Sequence, residues 1–205
     1  MGAVLFAAGC SIRADTEPRA LPISTTTTST PTVTPTVGGS EAAVFYVMDG
    51  QLVPVLVSMP DHRVSTALET LFDKPDETVE RAKLTTSIPV GATIDDVRVV
   101  DGTLTIDLSR GFENVVGPAR QQALGQIVLT ASGFAEVERI RFEIDGDPVQ
   151  VATPARGDVS SVTDCDYRAF LPTADDIRSA DLSPDTAELL EATVEDLDRR
   201  CPAKS

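Results

Sequence analysis

Between Ala43 and Val151 the chain carries short apolar or alternating stretches that meet at three Asp-Gly pairs. The middle stretch, Val97 to Ser109, joins two β-branched runs at Asp101-Gly102, a two-residue link that predicts a hairpin with a type I′ turn. On its second strand Leu104, Ile106 and Leu108 fall on one face and Thr103, Thr105 and Asp107 on the other, so one face packs and the other is wet. Ala43 to Met48 and Gln51 to Ser58 flank Asp49-Gly50 and predict a second hairpin. Pro54 cannot donate to a ladder, which places its strand at an edge or gives it a bulge. Glu136 to Ile144 alternates again, with Ile140, Phe142 and Ile144 opposite Arg139, Arg141 and Glu143. Asp145-Gly146 then turns into a short strand at Pro148 to Val151.

Helical spacing fills the gaps between these runs. Val64, Ala67, Leu68, Leu71 and Phe72 share one face of a short helix that ends before Pro75, with Thr66 and Glu69 spaced as a capping box. A further helical turn is expected over 77–84. Gly117-Pro118 opens a longer helix whose stripe is Leu124, Ile127, Val128 and Ala131, and Gly133 is placed to close it in the left-handed conformation. The order hairpin, helix, hairpin, helix, strand predicts an α+β fold, a mostly antiparallel sheet with helices packed on one face. Beyond it, Ser183-Pro184 starts a C-terminal helix with Leu189, Leu190, Val194 and Leu197 on one side, which should dock.

Composition narrows the function classes. A chain of 205 residues with 41% hydrophobic content supports one ordinary core. The net charge of −15 argues against binding nucleic acid or adsorbing to anionic lipid, both of which need clustered Lys and Arg. Residues 158–205 carry five basic and twelve acidic groups, the most acidic stretch, read as a solvating surface before a docking site.

The first ten residues, MGAVLFAAGC, resemble the lipobox of bacterial lipoprotein signal peptides: a short apolar run and small residues directly before Cys10, the residue that such proteins lipidate. Ala7 stands where Leu is usual, and an upstream translation start would supply the missing basic residues and length. The next thirty residues include TTTTSTPTVTPT and cannot bury enough apolar surface to order themselves. Such a linker reaches roughly 30 Å as coil and about 90 Å as polyproline II. The expected organisation is a signal-like segment over 1–10, a linker over 11–40, an α/β domain over 41–156 and an acidic helical extension over 157–205. With Cys10 reserved for lipid, Cys165 and Cys201 flank the last helix as an even pair. Outside the cytoplasm they are expected to form a disulfide, the alternative being two buried reduced thiols.

Enzymatic signals are weak. His62 is the single histidine, and no nucleophile elbow, His-Glu-x-x-His or phosphate-loop pattern gives it a partner. Asp95-Asp96 and Asp145-x-Asp147 are paired carboxylates beside turns, where Asp is favoured for backbone hydrogen bonding. No catalytic residue, metal ligand set or cofactor is assigned.

The ordered set FYVMDGQLVPV, ALETLFDKP, TTSIPVGATI, VRVVDGTLTIDLS, GQIVLTASGF and VERIRFEIDGDPV resembles the GerMN domain, the sporulation and germination module, over about Ala43 to Thr153. With the anchor and linker, the chain resembles actinobacterial lipoproteins of that type. The resemblance implies an extracytoplasmic module without an established catalytic centre. The expectation is a non-enzymatic binding or scaffold module. It would be held by its lipid on the outer face of the cell membrane and would recruit an envelope protein or cell-wall component. The competing expectation is a carboxylate-dependent enzyme acting on peptidoglycan or another glycan.

Overall fold

The computed structural model of the chain describes residues 40–73, 79 and 83–201. Cys10, the Thr/Pro-rich stretch and most of the helical turn expected over 77–84 lie outside the described residues. Strands β1 (Ser40–Met48) and β2 (Gln51–Met59) form a two-stranded antiparallel sheet. The helix α1 (Val64–Phe72) follows. A four-stranded sheet has the order β3 (Ile94–Val100), β4 (Thr103–Leu108), β5 (Arg139–Ile144), β6 (Asp147–Val149). Between β4 and β5 lie a 3-10 turn at Arg110–Asn114 and α2 (Gly117–Ala131). The chain continues through the small hairpin β7 (Val151–Thr153) and β8 (Gly157–Val159) and a 3-10 helix at Asp164–Phe170. Two helices, α3 (Ala174–Ser179) and α4 (Pro184–Arg200), complete it.

All three Asp-Gly pairs make the turns expected of them. Asp49, Asp101 and Asp145 take φ of 51°, 48° and 50°, and the glycines that follow are positive too, the signature of a type I′ link. The fold is α+β and its strand pairings are mostly antiparallel, as expected, with one parallel pair inside the main sheet. β4 and β5 run parallel in register, Thr103 beside Arg139 through Leu108 beside Ile144. Parallel neighbours need a crossover, and the segment carrying α2 supplies it.

Two local expectations are corrected. Helix α1 begins two residues before Thr66, with Arg63 at its N-cap and no side-chain cap bond. Thr66 Oγ1 instead donates to Asp61 Oδ1 at 2.7 Å, so the capping box is not formed. Helix α2 ends at Ser132 in a right-handed conformation, and Gly133 is not left-handed.

Leu104, Ile106, Leu108, Ile140 and Phe142 are all buried on the inner face of the main sheet. Each contributes about 1.5–3 kcal/mol by leaving water. They share one hydrophobic cluster with α1, α2 and β1. Helix α2 is buried on every side from Ala123 to Ala131, not along the expected stripe alone. Gly125 allows part of this: a Cβ there would stand 3.0 Å from Leu52 Cδ1 and 3.2 Å from Tyr167 Cδ1. The polar residues Gln126 and Thr130 survive burial because they hold β1. Phe45 N–H donates to Thr130 Oγ1 at 3.0 Å, and Gln126 Nε2 donates to the Phe45 carbonyl at 2.9 Å.

The C-terminal extension packs into the same cluster. Leu190, Val194 and Leu197 are buried and Leu189 half-buried. Ser183 Oγ accepts the Thr186 N–H as N-cap, and Pro184 is the first helical residue. A Cys165–Cys201 disulfide, Cα atoms 5.4 Å apart, joins the 3-10 helix to the C-cap of α4. Arg168 to Asp198 (2.8 Å) and Arg200 to Asp164 (2.8 Å) tie the same two segments.

Candidate interaction surface

The type I′ turns fix which main-chain groups look outward. In a two-residue hairpin the residues flanking the turn form a hydrogen-bonded pair, and pairs then alternate along the ladder. The first hairpin obeys this. Counting from Met48 and Gln51, Val47 and Phe45 should face away from β2. Val47 exchanges main-chain bonds with Thr85 (2.8 and 2.9 Å), and Phe45 bonds to α2. The outer edge of β1 is therefore covered.

In the β1–β2 sheet and the four-stranded sheet the same count leaves three other edges. On β2 the outward positions include Pro54, opposite Phe45, so the proline sits where its missing N–H costs no ladder bond and no bulge is needed. On β6, counting from Ile144 and Asp147, the outward position is Pro148. Proline interrupts the β2 edge between Leu52 and Leu56 and blunts the three-residue β6. On β3, counting from Val100 and Thr103, the outward residues are Val97 and Val99. Neither is proline, and among the described residues no hydrogen bond outside the β3–β4 pairing takes their N–H or carbonyl groups. Val99 is 37% exposed and Val100 62% exposed. The register shift between Ile94 and Asp96 interrupts this edge at one end and leaves Asp96 to Val100 regular.

The outer face beside this edge is polar, as the alternation predicts. Arg98 on β3 reaches across β4 to grip Glu143 on β5 at 2.6 and 2.7 Å and also holds Asp96 at 2.8 Å. Hydrogen bonding to Glu143, then to Asp96, pushes the Arg98 guanidinium pKa above its ordinary value. Across the pleat, Thr105 lies directly between Arg98 and Arg141.

The residues singled out for chemistry lie apart. Asp95 is exposed and accepts the Thr93 hydroxyl, while Asp96 carries Arg98. Asp145 sits in its turn paired with Arg110, and Asp147 is exposed. His62 is exposed with its ring 4.9 Å from that of Phe134, at the mouth of a cavity of about 380 Å³ between β1, α2 and α4. Arg200, bonded to Asp164 and Asp196, borders the same cavity. Asp164 lies near Cys165 and Cys201, but those sulfurs are bonded to each other and Asp164 is held by Arg200. The Tyr167 hydroxyl, buried with no hydrogen-bond partner among the described residues, has its pKa raised by burial and then by Asp166, a consequence of core packing. Among the described residues no helix is long and apolar enough to cross a membrane.

The open edge at Val97 and Val99 is missed by hydropathy reading, which sees two valines in a strand. Counting hydrogen-bonded pairs outward from Asp101-Gly102 identifies Val97 and Val99 as the outward positions, and the structure shows which such positions are left uncovered.

A family model described as "Germane: Sporulation and spore germination" matches residues 43–150. No curated protein sequence matches the chain. Among solved structures, the tandem GerMN domains of the sporulation protein GerM from Bacillus subtilis are similar, with TM-score 0.51 and 17% identity. The likeness covers 62% of this chain and 47% of that one. The first GerMN domain of the same protein is similar with TM-score 0.48 and 18% identity over 61% of this chain and 95% of that one. The chain thus spans about half the length of the tandem structure, and the likeness at this identity is one of fold.

Proposed function

Since the chain belongs to the Germane family of sporulation and spore germination domains, we propose that it is a lipid-anchored binding module of the cell envelope. In this reading it recruits an envelope protein by strand addition along β3. The observation that carries the proposal is the contrast among sheet edges. Those of β1, β2 and β6 are covered or carry proline, whereas Val97 and Val99 offer unblocked main-chain groups. An open edge of this kind is a template for an extended peptide, whose main-chain bonds supply affinity. The anchor rests on the small residues before Cys10 and the Thr/Pro stretch behind it, which together suit a tether on the outer face of the cell membrane. Binding is favoured over glycan hydrolysis because Asp96 and Asp145 are each committed to an arginine. A glycosidase needs two carboxylates facing each other across a cleft.

The test is Val99→Pro. Proline there removes an outward N–H and leaves the β3–β4 ladder intact, so the melting temperature should hold while partners recovered from detergent-solubilised membranes are lost. Retention of the same partners by the proline variant would refute strand addition.

A further inference from the structure

We propose that the outer face of the four-stranded sheet holds a second site, centred on Arg141, that binds the carboxylate end of a peptide. In a chain of 32 acidic and 17 basic residues, cations are readily claimed. Every other described arginine has a carboxylate within 4.0 Å or, for Arg120, the Phe112 ring at 5.6 Å. Arg141 has neither among the described residues. It projects from β5 on the wet face, directly beside Thr105 of β4, and borders a cavity of about 480 Å³ shared with Gln150 and Ser160. The side chains of Thr105, Arg141, Gln150 and Ser160 make no hydrogen bond to other described residues. One face therefore gathers a guanidinium fork, two hydroxyls and an amide, all with free donors.

The charge of the site selects the ligand. Arg98 adjoins it but is neutralised by Glu143 and Asp96, which leaves one uncompensated positive charge beside an acidic row. A monoanion matches it, whereas a dianionic phosphate would face Glu143 with its second charge. A carboxylate takes the guanidinium fork in a bidentate manner and still has lone pairs for Thr105. Pro148 and Val149 give the cavity an apolar wall, suited to a small apolar terminal side chain. Such an end belongs either to a protein C-terminus, in L residues, or to a wall stem peptide, in D residues, and the site reads the chemistry they share.

The site is independent of the β3 edge, so Val99→Pro should leave it unchanged. The experiment is an amide-resonance NMR titration of the full chain with N-acetyl-L-Ala-L-Ala, N-acetyl-D-Ala-D-Ala, the C-terminal amide of each, and inorganic phosphate. Saturable shifts at Thr105, Gln150 and Ser160 are expected with the acids and not with the amides or phosphate. Arg141→Gln should weaken binding at least about tenfold, the loss expected of a charged hydrogen-bonded contact. Arg110→Gln, on an exposed pair elsewhere, should leave it unaltered. The stronger of the two acids assigns the source. The proposal is overturned if neither acid gives saturable millimolar binding, if the amides or phosphate bind as well as the acids, or if a folded Arg141→Gln binds as tightly as the native chain.

Discussion

Replacing Thr130 with Val tests whether α2 holds β1 through hydrogen bonds or through packing alone. The two side chains have nearly the same shape, so the change leaves no cavity. What it removes is the acceptor 3.0 Å from the Phe45 N–H, in a place where Thr130 is fully buried and Phe45 only 3% exposed. Phe45 faces Pro54 across the hairpin and has no acceptor on β2 to turn to. An orphaned buried donor costs about 1–3 kcal/mol. In a folded unit of this size that lowers the melting temperature by roughly 2–12 °C. Gln126→Leu should cost more, since it frees both the Phe45 carbonyl and the Ser87 N–H, which Gln126 Oε1 accepts at 2.7 Å. Urea unfolding measures the free energies, and native-state hydrogen exchange locates them. The Phe45 amide should lose protection in Thr130→Val and keep it in Thr130→Ser, which retains the hydroxyl. A Thr130→Val protein within about 0.5 kcal/mol of the native chain, with its Phe45 amide still protected, would refute the reasoning.

Breaking the Cys165–Cys201 bond, which spans 36 residues, by a double Cys→Ser substitution should lower stability by roughly 3–4 kcal/mol in the chain-entropy model. Chemical denaturation of the two proteins side by side measures this. Leu190→Asp, placing a charge at a fully buried site on α4, should lower the melting temperature by several degrees even with the disulfide intact. Hydrogen bonding to Arg168 holds the Asp198 carboxyl below its ordinary pKa. Its contribution is thus complete above an unfolded value of about 3.9 and lost as pH falls through the lower folded one. Asp198→Asn should remove this contribution at neutral pH and flatten the acid limb of the stability profile below about pH 4, as thermal melts at graded pH would read. Cys10→Ala should move the protein from the membrane fraction to the soluble extracytoplasmic one. Unchanged fractionation would sink the anchor.

The local elements were legible in the sequence because their causes are local. An Asp-Gly pair between alternating runs can hardly be anything but a tight hairpin, and all three formed. The faces of β4 and β5 followed from period two, with Leu104, Ile106, Ile140 and Phe142 inside and Thr105 and Arg141 outside. The tail helix followed from its cap and stripe, Ser183-Pro184 and then Leu190, Val194 and Leu197. Misplaced details were those in which several local partners compete. Thr66 found Asp61 instead of a helix N–H, and α2 closed without using Gly133.

What the sequence left open was decided by contacts between residues far apart in the chain. That β4 and β5 run parallel depends on where α2 packs, and no period along the chain encodes strand direction. Gln126 and Thr130 fall outside the stripe of Leu124, Ile127, Val128 and Ala131. They are buried because β1 lies against their side of the helix and offers Phe45 main-chain groups 81 to 85 residues away. Whether an edge is covered or open is likewise a property of the assembled sheet. Phe45 and Val97 hold equivalent outward positions in their hairpins, yet α2 closes one and nothing among the described residues closes the other. Alternation and turn chemistry are written residue by residue, whereas burial is settled by the whole set of surfaces that must leave water together.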